Sequence, residues 1–411
     1  MSAVDEAGLA GLSIDQMVSA NAVPFRGGDR WLWAGIAGGM IGTAGLVAGL
    51  WVDVTQVFFS WLIAYTWALT IVIGMAAFLM ACHTMGATWP TALRRLGEAT
   101  VAAMPLLALM VIPLLLGLSH LYPWMHPDAV TDPHTRELLR HKLPLMNRPF
   151  VVGRSAAYVI VWLVVCSGLR RLSLAMDGPQ GRDRSARLQV FSAVLLPALA
   201  ISGSWAAFDW LMSLSPDWYS TMFGLYVLAG GFLGALALLV ILTVDAEIAG
   251  RLHGTRPAHH YALGRLLLAF TVFWAYVAYF QFFLIWIADK PIEARWYLDR
   301  VHGGYAWVSG FLVFGQFLIP FFALLPYAIK WRGRGLRVIA WWLLFAHYVD
   351  VHWLIAPARG ASAPVVHWLD AAALLCVGGF TVAFAVWRQR GHALAATSDP
   401  RYARALQYHS K

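Results

Sequence analysis

Residues 57–82 read VFFSWLIAYTWALTIVIGMAAFLMAC, a run of apolar and small polar residues that carries no charge. A helix needs about 20 predominantly apolar residues to cross the roughly 30 Å hydrocarbon core of a bilayer, so this run predicts a transmembrane helix. Nine further stretches pass the same test; they are residues 31–51, 99–121, 149–169, 188–213, 220–244, 264–288, 303–329, 335–357 and 367–388. The sequence therefore predicts an all-α integral membrane protein with about ten transmembrane helices.

The composition of the chain excludes an ordinary soluble domain. Of its 411 residues, 60% are hydrophobic and 12% are charged, and the mean hydropathy is +0.64, whereas about a quarter of the residues of a soluble domain are charged. The net charge of +9 would attract nucleic acid if it were exposed as one patch, but Lys and Arg are concentrated in the amino-terminal tail and in the loops after the even-numbered spans. This distribution predicts that both termini are cytoplasmic, and no nucleic-acid partner is required to explain it.

Cysteine is scarce and scattered in this chain. Cys82, Cys166 and Cys376 each lie alone within an apolar run, whereas an iron–sulfur cluster needs about four thiolates and a zinc site needs several ligands at close spacing. We therefore predict no metal site in this chain, and any redox centre has to come from a partner subunit.

Acidic residues inside the spans are the first candidates for function, because an unpaired charge in the bilayer is costly. In the fifth span, Ser202, Asp209 and Ser213 recur at helical spacing and share one stripe, which predicts a file of waters. Asp209 would then carry a proton in the outer half of the membrane. The alternative is a structural Asp209 bonded to a Ser, Trp or Arg of a neighbouring helix.

The ninth span contains a second polar group. His347 and Asp350 are three residues apart and share one helix face, so the carboxylate could orient the imidazole toward a ligand or water. His352 faces roughly the opposite way. The alternative is that both histidines are core residues bonded to backbone carbonyls.

Further polar residues lie near the ends of the spans. His83 and Glu98, at the cytoplasmic ends of the second and third spans, would form a proton entry or would simply be solvated loop-end residues. Arg154, near the start of the fourth span, would reach the headgroups or pair with an acid. Interhelical hydrogen bonds are expected for His120, Gln281, Gln316 and Asp370.

Three stretches of the chain carry a family resemblance. They are SWAAFDWLMSLSPDWYSTMFGLYVLAGGFLGA at 204–235, IADKPIEARWYLDRV at 287–301 and HYVDVHWLIAP at 347–357. Together they resemble the membrane-integral subunits of alternative complex III, within the NrfD/polysulfide-reductase membrane-subunit superfamily. The chain length and the carboxyl-terminal DPRYARAL at 399–406 are similar to the shorter of the two homologous membrane subunits of that complex.

The resemblance implies a subunit of a quinol:electron-acceptor oxidoreductase, such as a quinol:cytochrome c oxidoreductase, in a respiratory or photosynthetic chain of the bacterial inner membrane. The implied partners are the longer homologous NrfD-like membrane subunit, an iron–sulfur subunit, c-type cytochrome subunits and lipids, with a terminal oxidase as a further candidate. Iron–sulfur clusters and c-type haems would lie in those partners, and quinol is the only cofactor implied near this chain.

The resemblance also implies two four-helix bundles with a flanking helix on either side. A weak likeness between FDWLMSL at 208–214 and YVDVHWLI at 348–355 points the same way. The predicted parts of the chain are an amino-terminal tail (1–30), a first flanking helix (31–56), bundles at 57–213 and 214–357, a second flanking helix (358–388) and a carboxyl-terminal tail (389–411).

Site residues follow from the resemblance and from the polar positions above. The predicted proton path comprises Asp209, His347, Asp350, His83, Glu98, Ser202 and Ser213. The predicted quinol contacts are Asp209, His352 and Asp370. Other functions remain open: a non-catalytic scaffold, a secondary transporter with rocking bundles, and a di-haem b protein, whose histidines would have to reach matching depths.

Overall fold

The computed structural model of the protein describes residues 13–177, 181–360 and 365–410. The chain is 80% helical, and the described residues contain no β-strand apart from an isolated bridge between Pro24 and Ala393. Ten of the described helical segments are long and apolar enough to cross a membrane: α1 (Asp29–Gly49), α2 (Val54–Thr84), α3 (Arg94–Leu116), α4 (Arg148–Asp177), α5 (Arg184–Leu214), α6 (Phe223–Ile248), α7 (Pro257–Ile287), α8 (Tyr305–Leu324), α9 (Gly333–Arg359) and α10 (Trp368–Gln389). The predicted fold class, an all-α membrane protein with ten spans, is confirmed.

The helix ends follow local sequence signals. Asp53 begins α2 by accepting from the Gln56 amide at 2.9 Å, and Asn147 begins α4 by accepting from the Phe150 amide at 3.0 Å. The segment α3 is interrupted between Arg94–Val101, Met104–Leu109 and Val111–Leu116, because Pro105 and Pro113 remove donors from the helical ladder. Shorter helices lie outside the spans at Ile14–Asn21, Pro133–Lys142, Pro291–Val301 and Tyr402–Leu406.

The centre of the molecule is the crossing of α2 and α6, the two most buried spans of the described chain. A Cβ on Gly74 would lie 2.5 Å from the Gly231 carbonyl oxygen, so the two backbones touch. The segments α4 and α5 pack together beside α2, while α7 and α9 pack against α6. Because glycine has no side chain, this crossing places polar groups of α2, α6 and α9 within reach of one another.

The first and last spans pack against each other. A Cβ on Gly42 of α1 would lie 2.3 Å from the Cys376 amide nitrogen of α10, and one on Gly35 would lie 2.6 Å from the Gly379 carbonyl oxygen. These contacts place the two predicted flanking helices, α1 and α10, directly against each other. Small residues along both helices let them form a close pair, which contacts α2 mainly through α10.

Residues 13–28 and 390–410 form one layer across one end of the helices, which we call the terminal layer. The Asn21 side-chain amide donates to Tyr402 Oη at 2.9 Å and to the His253 carbonyl at 2.7 Å, and Trp89 packs against Tyr408. The terminal layer therefore lies at the same end as the α2–α3 and α6–α7 loops. Of the predicted parts, residues 1–12, 178–180, 361–364 and 411 lie outside the described residues.

Candidate functional site

The strongest candidate site surrounds Asp350 in α9, and we call it the central cluster. Asp350 is 2% exposed and accepts hydrogen bonds from the Tyr226 hydroxyl of α6 and from Trp274 Nε1 of α7, the latter at 3.2 Å. His347 is equally buried, and its Nε2 lies 3.0 Å from Thr70 Oγ1 of α2. Four helices thus contribute polar groups to one buried cluster.

Two glycines of α6 make room for this cluster. A Cβ on Gly230 would lie 3.2 Å from Asp350 Oδ2, and one on Gly234 would lie 2.9 Å from His347 Cδ2. A larger residue at either position would press against the acid or the imidazole. The glycine-rich sequence of α6 therefore positions α9 as well as α2.

Asp350 differs from Asp209, Glu98 and Asp399 in having no arginine partner. Among the described residues, the only basic group within 4.0 Å of its carboxylate is His347 Nδ1, at 4.0 Å. Hydroxyl and indole donors stabilise the carboxylate by hydrogen bonding, but they do not neutralise its charge. A buried acid of this kind can hold a proton and release it, because neither state is fixed by an ion pair.

Asp209 in α5 lies in a different environment. Arg154 of α4 donates to it from Nε at 2.7 Å and from Nη2 at 2.9 Å, and Tyr158 Oη donates at 2.8 Å. This is a bidentate ion pair that balances the carboxylate charge. The structure therefore shows Arg154 paired with an acid, and it favours the structural alternative for Asp209.

The three side chains of the predicted polar stripe on α5 each make their own local hydrogen bonds and are not bonded to one another in a chain. Ser202 Oγ accepts from Trp162 Nε1 at 3.0 Å and donates to the Leu199 carbonyl at 3.1 Å. Ser213 Oγ donates to the backbone carbonyl of Asp209 at 2.5 Å. Each hydroxyl is thus satisfied by the protein at its own level of the helix, although the three side chains share a face.

His352 and Asp370 come together at the end of the molecule opposite the terminal layer. Asp370 accepts from Ser60 Oγ at 2.5 Å and from Gln56 Nε2 at 3.2 Å, and its Oδ2 lies 3.7 Å from His352 Nε2. It also accepts from the His367 amide at 2.9 Å at the start of α10. The expected interhelical hydrogen bonds of Asp370 are confirmed, but Asp209 belongs to another cluster, so the three predicted quinol contacts do not form one site.

Glu98 is the centre of a buried ionic cluster beneath the terminal layer. It is fully buried and lies 3.0 Å from Arg94 Nε and 3.4 Å from Arg95 Nη1, while Arg94 also pairs with Asp399 at 2.5 Å. Burial alone would raise the pKa of Asp399, but hydrogen bonds from Arg401 and the charge of Arg94 outweigh it and lower that pKa to about 2.

The expectation of solvated loop ends is wrong for both residues at this end. Glu98 is 0% exposed and His83 is 4% exposed, with His83 Nδ1 3.2 Å from Ser192 Oγ. The terminal layer covers His83 and Glu98, which would otherwise face water. The polarity of the loop sequences does not predict this burial. A proton entry at this end would have to pass through ionic contacts rather than an open vestibule.

Sequence reasoning missed most partners in the central cluster. Thr70, Tyr226 and Trp274 lie on three different spans, and no spacing within one helix links them to Asp350. The expected interhelical hydrogen bond of Gln281 is confirmed, since its Nε2 donates to Tyr297 Oη of the short helix Pro291–Val301 at 3.3 Å. Gln316 lies beside Asp350, but neither amide atom of this buried side chain makes a hydrogen bond of good geometry within the described residues.

An apolar crevice of about 400 Å³ opens between α1, α2, α3 and α10. Its walls include Leu46, Phe58, Trp61, Met110 and Cys376. Asp209, His352 and Asp370 do not line it. The crevice and the predicted quinol contacts are thus separate features.

No protein-family model and no curated protein sequence matches this chain. The fold and the site define its class directly: a multi-pass, all-α membrane protein with a carboxylate buried among neutral donors near its centre.

Proposed function

We propose that this chain is a membrane-integral subunit of a quinol-oxidising oxidoreductase of the alternative complex III type, in which it contributes a transmembrane proton path. The observation that carries the proposal is the burial of Asp350 with His347 and Tyr226 and without a cationic partner. Intramembrane acids of this kind are costly and typically serve proton or ion transfer.

The proposed proton path includes only some of the acids and histidines in the chain. Asp350 and His347 are its central stations, and His83 with Glu98 marks the cytoplasmic end. Asp209 is assigned a structural role, since its charge is balanced by Arg154. Any quinol contact by this chain is assigned to the His352 and Asp370 end, on the opposite side from the terminal layer.

The arrangement in the membrane belongs to the same proposal. Lys and Arg are concentrated at the end that carries the terminal layer, so that end is proposed to be cytoplasmic and the membrane to be the bacterial inner membrane. The spans α2–α5 and α6–α9 are proposed as two four-helix bundles. Iron–sulfur and c-type haem centres are assigned to partner subunits, including a longer homologous membrane subunit.

The experiment is to purify the affinity-tagged chain from its own membranes in mild detergent. We expect it to bring with it c-type cytochromes, an iron–sulfur subunit and quinol oxidation activity. After reconstitution in sealed vesicles, quinol oxidation should change the internal pH. A chain that purifies alone, or a complex without quinol oxidation, would overturn the proposal.

A scaffold without proton transfer is the second candidate, favoured by the ion pairs of Asp209 and Glu98. Under that alternative, the complex would oxidise quinol normally, and removing the Asp350 carboxylate would affect only its stability.

A further inference from the structure

The part of α8 that borders the central cluster is not regular α-helix. Residues Leu312–Leu318 form a π-helix. Pro320 has no N–H to offer to the carbonyls of the preceding turn, and the Gly315 carbonyl instead accepts from Trp342 Nε1 at 2.6 Å. Such π-helical turns rotate side chains relative to an α-helix and are frequent at functional sites.

This turn carries Gln316, which is 0% exposed and lies beside Asp350. Its amide oxygen and amide nitrogen are both buried, and neither makes a hydrogen bond of good geometry to another described group, although the amide lies near enough to Asp350 to stabilise that carboxylate. His347 Nδ1 is buried and without a hydrogen bond as well. A buried polar atom without a hydrogen bond destabilises the folded protein, so three of them next to one carboxylate call for a shared partner.

The geometry fits a small polar molecule between these groups. His347 Nδ1 and Asp350 Oδ2 are 4.0 Å apart, which is too far for a direct hydrogen bond but within the span that one water bridges. The position of a Cβ on Gly230 would be 3.2 Å from each of those two atoms, so Gly230 faces both of them and puts no side chain between them. A buried water needs two to four polar partners, and Gln316, His347 and Asp350 supply them.

We propose that Gln316, His347 and Asp350 bind one water molecule between α6, α8 and α9, with Gln316 as its positioning residue. The binding of water rests on this geometry. The role of the water as a proton carrier rests on the function proposed above. In that role, a protonated His347 gives its Nδ1 proton to the water as the water gives one to Asp350, so the water is regenerated and one proton has moved.

The test is electron cryo-microscopy of the native complex, at a resolution that shows ordered waters, on the natural protein and on Gln316→Met. Methionine has nearly the same shape but no amide. We expect density for one water within hydrogen-bond distance of Gln316 and His347, and its loss in the variant. The matched control is Gln281→Met, because Gln281 is also buried in a span but bonds to Ser220 and Tyr297. It should keep the water.

A second variant removes no polar atom. Gly230→Ala places a methyl group against Asp350 and His347, and we expect it to displace the water while Gln316 stays in place. A direct hydrogen bond between Gln316 and Asp350 with no water in the natural protein would overturn the proposal. So would a water that remains in both Gln316→Met and Gly230→Ala.

Measuring proton uptake during quinol oxidation distinguishes a failure of the water site from a failure of the proposed proton path. Slower uptake in Gln316→Met, with normal uptake in Gln281→Met, supports the water as a carrier. If the water is present and is lost in Gln316→Met while proton uptake is unchanged in that variant and in Asp350→Asn, the water site stands and the proton path is overturned.

Discussion

Trp274 Nε1 of α7 donates a hydrogen bond to Asp350 Oδ2 of α9 at 3.2 Å, and the Tyr226 hydroxyl donates to the other carboxylate oxygen. The carboxylate of Asp350 thus links α9 to both α6 and α7. The donors are neutral, so the protonation of Asp350 is not fixed by a cation. This separates Asp350 from Asp209, whose charge Arg154 balances at 2.7 Å.

Asp209→Asn should destabilise the protein, because it leaves the guanidinium of Arg154 largely buried without its carboxylate. Removing one member of a buried ion pair costs about 3 kcal/mol or more. We expect a lower thermal unfolding temperature in detergent and a lower yield of assembled complex.

Two further variants check that reading of Asp209. Tyr158→Phe removes a single hydrogen bond to the same carboxylate and should cost only about 1 kcal/mol. Combining Asp209→Asn with Arg154→Gln should recover part of the stability, since no unpaired charge remains. If Asp209→Asn is fully stable and only proton movement is lost, Asp209 is a proton-path residue and its structural assignment is wrong.

Gly74→Ala should disturb the crossing of α2 and α6. The new Cβ would lie 2.5 Å from the Gly231 carbonyl oxygen, and a backbone atom cannot move aside as a flexible side chain can. Overpacking of this kind costs about 1–3 kcal/mol, which thermal unfolding of the purified protein would show. Gly153→Ala in α4 is the matched control, because its Cβ would meet nothing within 4 Å. Equal losses in the two variants would contradict the close crossing.

Acid should detach the carboxyl-terminal segment, residues 392–410, from the helices over the pH range in which Asp399 becomes protonated. Its pKa is lowered to about 2 by Arg401 and Arg94 against the effect of burial, compared with about 3.9 in an unfolded chain. A lowered folded-state pKa means that the stabilisation is complete above about pH 4 and is lost as the pH falls toward 2.

Hydrogen exchange of residues 392–410 measures that release. We expect steady protection from neutral pH down to about pH 4 and a loss below it. Asp399→Asn should have weak protection throughout, because the paired carboxylate is gone. The same pH profile in both proteins would show that Asp399 does not hold the segment.

The number of spans could be predicted from the sequence because it depends on length and hydrophobicity alone. Helix ends were less predictable: α4 continues from the expected residue 169 to Asp177, where Arg95 pairs with that acid at 2.7 Å. The pairing of α1 with α10 depends on glycine contacts between helices at opposite ends of the chain, such as Gly42 with Cys376, which no local pattern shows.

The site was predicted in part. His347 and Asp350 were identified because an acid and an imidazole three residues apart are unusual in an apolar span. Their partners Tyr226 and Trp274 could not be identified, because they lie on two other spans and no spacing within α9 links them to Asp350. The burial of Glu98 likewise depends on the terminal layer, which only the folded chain brings over it.

The most direct test of the central claim is proton uptake during quinol oxidation by the complex in sealed vesicles, measured for Asp350→Asn. Asparagine keeps the size of the side chain, its amide oxygen can still accept from Trp274 and its amide nitrogen can donate to the Tyr226 hydroxyl, but it cannot carry a proton. The control is Asp245→Asn, which removes a carboxylate paired with Arg337 outside the central cluster. Loss of proton uptake in Asp350→Asn alone, with an unchanged set of subunits, is the predicted result; normal uptake in a fully assembled Asp350→Asn complex would contradict the proton path.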